Sequence, residues 1–427
     1  MLYPCPANKL GLGWSGPPPR NQIFAHLTGP RIVPIPGAPG FEIGDKTIPQ
    51  DPPPSVRTKV RPSPGRGLGL FAIDAIPRFT KILEDDALLS LSLSRGEDLP
   101  DLWEKYLALP PDDKYAFDSL SCQLKPEKEE YLISKLEEFG YDTATAQEMA
   151  RIDAQWQSNA FKNENTRIVS TSGQPPSPTP DGLDPTLRWN FSLFANVARI
   201  NHSCAPNARA SYRPHSGAEV VYSICDIAAG EEIEIAYFDL TMDAFQRKAR
   251  ARNWGFECRC RACEMPARKY KIYVKLLNDI REENALADKV FSEGIKRHNL
   301  PRSLTEGQEN VRRVEKLLER VRDGKFPWLV VALPLLHRDL ATQHMRLTVA
   351  AGGGNDPFTE KVAGCMKDAM DLEEKITGFT EGGEYMLKVN VSQDLRIKGV
   401  QGVEVFGIDQ LDSVLQRMKS EWEAESR

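Results

Sequence analysis

Between Val56 and about Leu93, apolar and polar residues alternate in short runs broken by turn residues. Val56, Thr58 and Val60 alternate; Leu68, Leu70, Phe71 and Ile73 follow a glycine turn; Lys81-Ile-Leu83 resumes after Pro77. This pattern predicts β-strands. From about 97 to 167 the period lengthens. Leu102, Tyr106 and Leu109 recur at helical spacing, as do Tyr131, Leu132, Leu136 and Phe139, with Gly140 as a stop. Strands are expected again near Ala208 to Tyr212, Ala218 to Ile224 and Ile233 to Tyr237. Beyond Cys263 the texture is mainly helical. Val311, Val314, Leu317, Leu318 and Val321 form one apolar stripe between charges, which is ordinary helix-bundle core. The apolar run Leu329 to Leu336 is short and contains Pro334, so it predicts core and not a membrane span. The fold class expected is α+β: a β-rich core of small sheets split by a helical insertion and followed by a helical domain.

Two stretches break these patterns. Residues 1–55 are rich in Pro and Gly, with Pro17-Pro18-Pro19 and Pro52-Pro53-Pro54. Such a segment builds no core of its own and predicts an extended arm, docked or disordered. Ser170 to Pro180 predicts a polar loop. Composition changes the picture little: 41% hydrophobic and 27% charged residues in 427 are ordinary for a globular chain with room for two domains. The net charge of -5, with no basic block, argues against direct nucleic-acid binding. No signal peptide or spanning run is recognised, so the expectation is an intracellular protein, nuclear or cytoplasmic.

Eight cysteines in this length make no disulfide framework, and three of them cluster as Cys258-Arg-Cys260-Arg-Ala-Cys263. C-x-C-x2-C spacing lets one loop wrap three soft thiolates around a tetrahedral metal, and a closed zinc site needs a fourth ligand. Cys204, in Asn201-His-Ser-Cys-Ala-Pro-Asn207, is the preferred donor; Cys225 is its rival. Ser203 and Cys204 beside His202 do not make a nucleophile triad, since sequence neighbours rarely have that geometry. Glu231, Glu232 and Glu234 read as the solvated face of a strand.

Four runs occur in order: Gly65-Arg-Gly-Leu-Gly-Leu-Phe-Ala72, Asn201 to Asn207, Gly230-Glu-Glu-Ile-Glu-Ile-Ala-Tyr237 and the cysteine cluster. Together they resemble a SET-domain protein lysine methyltransferase with a post-SET zinc segment. The resemblance covers roughly residues 56–93 and 188–264. The intervening helices resemble the insertion of the SMYD-like branch, without its cysteine-rich MYND finger, as in fungal-type members. The resemblance implies S-adenosylmethionine as co-substrate and structural zinc on Cys204, Cys258, Cys260 and Cys263. It implies donor contacts from Gly67, Leu68, Gly69, Leu70, Asn201, His202, Tyr237 and Phe256, and a catalytic role for Tyr237. His202 is then a binding residue, not a general base. Phe194, Tyr212 and Tyr222 are candidate walls of a lysine channel. Ile235 stands where relatives carry Phe or Tyr, so it leaves the number of methyl groups open.

The domain boundaries expected are an arm at 1–55, a SET domain at 56–240 with its insertion at about 95–187, a zinc segment at 241–266, and a mainly helical domain at 267–427. The partner implied is a protein or peptide with an accessible lysine, histone or not. A catalytically silent SET-fold interaction module is the alternative. The intact Asn201-His202 pair and Tyr237 favour the enzyme.

Overall fold

The computed structural model describes residues 56–93, 98–122, 126–163, 166–167, 187–213, 216–240, 242–293, 295–352 and 359–378. The expected arm at 1–55, the Ser170 to Pro180 loop and residues 379–427 lie outside the described residues. The chain divides into two compact units, one reaching Glu264 and the other starting at Met265.

The first unit begins with the antiparallel hairpin β1 (Thr58–Ser63) and β2 (Gly67–Ala72). Gly67 at φ +73° lies in the left-handed region, which an L side chain enters only at a cost, and this sets the turn. Strands β3 (Lys81–Asp86) and β4 (Leu89–Leu93) follow. Four helices come next: α1 (Asp98–Leu107), α2 (Pro111–Asp118), α3 (Pro126–Glu138) and α4 (Thr143–Asn159). Their apolar faces pack on the sheet: Leu102, Phe117, Leu136, Met149 and Ile152 share one core with Leu89, Leu91 and Leu193. Asp142 caps α4 by accepting the Thr145 N–H at 3.0 Å.

The helical stretch expected to run to about 167 ends at Asn159. Ala160 turns extended (φ -70°, ψ 142°). Then β5 (Phe161–Lys162) and β6 (Thr166–Arg167) pair with β7 (Leu187–Leu193). Phe161 is fully buried, edge-on to Phe194 at 5.8 Å between ring centroids. That contact belongs to a sheet face, and local helical periodicity could not anticipate it.

The remaining strands are β8 (Asn201–His202), β9 (Ala208–Arg213), β10 (Ala218–Ser223) and β11 (Glu234–Ile235). β10 is the centre of an antiparallel sheet ordered β3-β10-β9, while β8 and β11 form a two-residue parallel pair. The strand expected over Ile233 to Tyr237 is regular only at Glu234–Ile235. The first unit closes with α5 (Ala244–Asn253), which carries a capping box at Asp243 and Gln246, and the cysteine loop.

The second unit is helical: α6 (Ala267–Glu293), α7 (Leu304–Arg322), α8 (Leu333–Ala350) and α9 (Glu360–Thr377). The stripe Val311, Val314, Leu317, Leu318 and Val321 is buried on α7, and Leu329 to Leu333 are buried at the entry to α8, where Pro334 sits in the first turn. Among the described residues, no helix is long and apolar enough to cross a membrane.

Candidate active site and metal centre

The site forms where β8 and β11 run side by side. Asn201 faces Glu234 and His202 faces Ile235 in the register. Three devices fix this short pair, which on its own contributes few ladder bonds. Asp85 accepts the N–H groups of Asn196 (2.7 Å) and Val197 (2.9 Å), pinning the turn that leads into Ile200. Asn207 ties the far end. Its Nδ2 donates to the Glu232 carbonyl at 2.9 Å, and its Oδ1 accepts the Glu234 N–H at 2.8 Å. The Ser203 N–H donates to the Ile235 carbonyl at 2.9 Å.

Tyr237 is 5% exposed. Its hydroxyl donates to the Ile200 carbonyl at 2.6 Å. That bond fixes the hydroxyl proton on a backbone oxygen and so sets the direction of the phenol oxygen. The ring stands edge-on to Phe256 (6.3 Å, 87°) and packs on Trp254 (5.8 Å) and His202 (5.2 Å). His202 is buried, with Nδ1 3.0 Å from the Tyr237 amide nitrogen and Nε2 3.3 Å from the Cys204 sulfur.

The ligand atoms of Cys204, Cys258, Cys260 and Cys263 all lie within 4.8 Å of one another. Cys204 Sγ is 3.9 Å from Cys258 Sγ and 3.6 Å from Cys263 Sγ, and all four thiols are free of disulfides. Four sulfurs about 2.3 Å from a zinc ion at tetrahedral angles stand about 3.8 Å apart, so the set fits a structural zinc. Hydrogen bonds within the cluster pull the pKa values of the thiols apart: Cys258 and Cys260 are drawn down by the Cys204 thiol, while Cys204 and Cys263 are pushed up. Cys225, the rival fourth ligand, is outside the cluster. Its thiol is pushed up by burial, against the pull of the Arg261 and Arg78 charges. Arg261, from the cysteine loop, also reaches the Ala205 carbonyl at 3.3 Å.

On the opposite flank lies the glycine turn. Asn201 Nδ2 donates to the Leu68 carbonyl at 3.0 Å and to Glu232 Oε1 at 2.7 Å. A Cβ on Gly69 would strike that Glu232 carboxylate and come within 2.9 Å of Asn201 Nδ2. A side chain at position 69 would therefore force Glu232 and Asn201 to shift. Leu68 is exposed, whereas Leu70 is in the core, its carbonyl accepting the Ile233 N–H at 2.8 Å.

Arg66 pairs with Glu232 and, at 2.5 Å, with Glu234. The reading of these glutamates as a solvated face is corrected here: their side chains are only 10% and 21% exposed. Burial alone would push Arg66 down, but the two carboxylates hold it above its ordinary value. Burial pushes Glu234 up despite Arg66, because the carboxylate is the more deeply covered partner.

Arg66 and Asn207, which tie this region together, were not singled out in the sequence, and Glu232 was set aside there as part of a solvated face. Arg66 sits between two glycines of the quoted turn, and Asn207 closes the quoted Asn201 run, but neither position announces its partner. Of the candidate channel aromatics, Phe194 packs between Phe161 and Tyr212 (6.3 Å) and Tyr222 is half-buried on β10. Burial, and then the nearby Glu219 carboxylate, push the Tyr212 phenol up.

Residues 67–238 match the SET domain family, so the chain contains a SET domain. Histone-lysine N-methyltransferase set5 of Schizosaccharomyces pombe is 25% identical over 226 residues, covering 53% of this chain and 54% of that protein. N-lysine methyltransferase SMYD2 of Gallus gallus is 34% identical over 101 residues, 23% of each chain. The chain thus spans about half the length of the first relative and under a quarter of the second. A solved structure of Rubisco LSMT bound to AdoMet aligns at 15% identity over 85% of this chain and 88% of that one, with a TM-score of 0.28, too low to carry an assignment.

Proposed function

We propose that this SET-domain chain transfers a methyl group from S-adenosylmethionine to the side-chain amine of a lysine in a protein substrate. The observation that supports this most is a convergence. A buried phenol, an asparagine bonded to a glycine turn, and a four-thiol cluster meet around one two-residue parallel strand pair.

The donor supplies a sulfonium methyl, which passes to a neutral amine as the carbon–sulfur bond breaks and the electron pair stays on the thioether. The methylated amine then loses a proton to solvent. A neutral thioether leaves without acid assistance, so the chain has to supply alignment and placement of charge. Tyr237 is the catalytic residue in this reading: its proton is held by the Ile200 carbonyl, and its oxygen orients the amine and the polarised methyl. Gly67, Leu68, Gly69, Leu70, Asn201, His202 and Phe256 are assigned to the donor. Apolar and aromatic walls disfavour the lysine ammonium and so help to present it as the amine. Cys204, Cys258, Cys260 and Cys263 hold a structural zinc that takes no part in the chemistry. The domains proposed keep the boundaries 56–240, 241–266 and 267–427.

The names of set5 and SMYD2 support a protein lysine as acceptor, and neither fixes a histone as the substrate here. No direct contact with nucleic acid is proposed, and the compartment is nuclear or cytoplasmic. The test is transfer from labelled S-adenosylmethionine to histones and to a cell lysate, with modified residues read by mass spectrometry. Lysine labelling is expected, with a fall of about 10²–10³-fold in Tyr237→Phe, the scale of losing one positioned oxygen. Donor binding without transfer across a broad panel would favour a silent SET-fold interaction module instead.

A further inference from the structure

His202 is bonded at both ring nitrogens, and the two bonds lead in different directions. Nδ1 is 3.0 Å from the Tyr237 amide nitrogen. A backbone N–H only donates, so Nδ1 has to be the acceptor. In the neutral ring the proton is then on Nε2, 3.3 Å from Cys204 Sγ and within hydrogen-bond reach of the Cys258 thiol, and Nε2–H donates into the thiol cluster. The ring is held in this orientation. It is 3% exposed and packed by Phe238 (4.2 Å), Tyr237 (5.2 Å) and Phe256 (5.6 Å). Cys204 in turn touches the sulfurs of Cys258 and Cys263. One rigid imidazole therefore joins the thiol cluster to the backbone from which the Tyr237 phenol projects.

We propose that His202 is a positioning residue whose imidazole ties the backbone of Tyr237 to metal occupancy of the four-thiol cluster. The inference rests on the zinc reading of that cluster. Its link to methyl transfer rests on the role proposed for Tyr237, but its structural half stands without that role. A thiolate held on a metal is a fixed acceptor for Nε2–H. Partners of metal ligands also tune the metal, typically by 10–100-fold in affinity. With the metal gone the sulfur is no longer fixed, the ring loses one of its two anchors, and the Tyr237 N–H loses a directed acceptor. The role goes beyond a donor contact: in the geometry, both ring nitrogens are committed within the protein.

The test uses the zinc-loaded full chain. Long-range proton–nitrogen correlation spectra of the native protein should give His202 as the Nε2–H tautomer, and chelation of zinc should raise hydrogen exchange of the Tyr237 amide at least about tenfold. His202→Phe keeps a ring and removes both bonds; zinc should leave it about 10–100-fold faster. His202→Gln, which restores a donor toward sulfur, should recover part of that loss. An Nδ1–H tautomer would overturn the proposal on the native protein alone, even if the variants fail to fold. So would zinc release unchanged in His202→Phe, or a variant whose sole defect is weaker S-adenosylmethionine binding by calorimetry. Absence of methyl transfer would count against Tyr237 chemistry and leave the tautomer and zinc results to decide this point.

Discussion

The two flanks of the Asn201–His202 strand are held by opposite chemistry. Toward the cysteine loop the contacts are soft and mainly uncharged: an imidazole, four sulfurs, two of them half-buried, and the rings of Tyr237, Phe238, Trp254 and Phe256. Toward the glycine turn they are charged and half-covered: Arg66 with Glu232 and Glu234, and Asn201 between Leu68 and Glu232. A metal on the four sulfurs would hold the first flank together with apolar burial, and salt barely touches either. The second draws its strength from Coulomb attraction near water, which salt screens. The same strand should therefore respond to chelators on one side and to ionic strength on the other.

The largest break should come from the metal. Cys204→Ser removes the ligand that joins the distant segments, Cys204 and Cys258–Cys263. Breaking such a site removes folding free energy directly. Methyl transfer should fall at least about 100-fold and the first unit should melt earlier, by about 2–4 °C for each kcal/mol lost in a unit of this size. Chelation of the native protein should reproduce both effects and leave the α6–α9 unit unchanged. Activity and melting insensitive to chelation would end the distinction between the flanks.

The second unit separates burial from metal as the cause. Asp339 is fully buried beside Arg338, which also pairs with Asp288 at 3.0 Å. Burial raises the Asp339 carboxyl to about 7, against the pull of Arg338. Its folded value is thus above its ordinary 3.8. Between these values the folded state binds more protons than the unfolded one, so this group's contribution falls as pH rises, by at most about 1.4 kcal/mol per pH unit. His337, pushed down by burial, works the other way below its ordinary 6.5. The Asp339 part is therefore read as a difference: Asp339→Asn should gain stability relative to the native protein from pH 4 to pH 7, and be level above it. Chemical denaturation across that range checks this, and chelator should change nothing. A pH-independent difference would remove Asp339 as the cause.

How much of this was legible depends on whether the signal was local. The cysteine spacing and the Asn201-His202-Ser203-Cys204 run carried chemistry in adjacent residues, and the sulfurs of both runs lie together. The stripe on α7 was readable because helical period and burial coincide there. Glu232 and Glu234 were misread because alternation along a strand marks two faces without saying what covers them. Their cover is Arg66, more than 160 residues earlier in the chain. The strands Phe161–Lys162 and Thr166–Arg167 were missed because each is two residues long and depends on β7.

Gly69 probes the seam between the flanks. A methyl group there meets the Glu232 carboxylate and Asn201 Nδ2 at once. Because Asn201 is tethered to the Leu68 carbonyl, it can yield little. Gly69→Ala should cost about 1–3 kcal/mol, the usual scale of overpacking, and weaken S-adenosylmethionine binding more than zinc binding. Gly67→Ala is a different test, since Gly67 has open space but a positive φ; its penalty, about 1 kcal/mol, is conformational. Calorimetry and thermal melts compare the two. A Gly69→Ala protein with native donor affinity would mean that the turn tolerates displacement and does not shape the pocket.

The smallest effect belongs to the ion pairs. Arg66 is one-third exposed, so its Coulomb gain is shared with solvent and offset by side-chain ordering. A double-mutant cycle of Arg66→Ala with Glu234→Gln should give a coupling of about 0.2–1 kcal/mol at low salt. It should shrink further at 0.5 M, where the screening length drops to about 4 Å. In the same salt titration the zinc-release rate should stay level, because sulfur–metal bonds are short-range contacts that salt screens little. A coupling of several kcal/mol that resists salt would put Arg66 in the fixed framework alongside Cys204. The contrast would then lie only between metal and charge, since both flanks would be rigid.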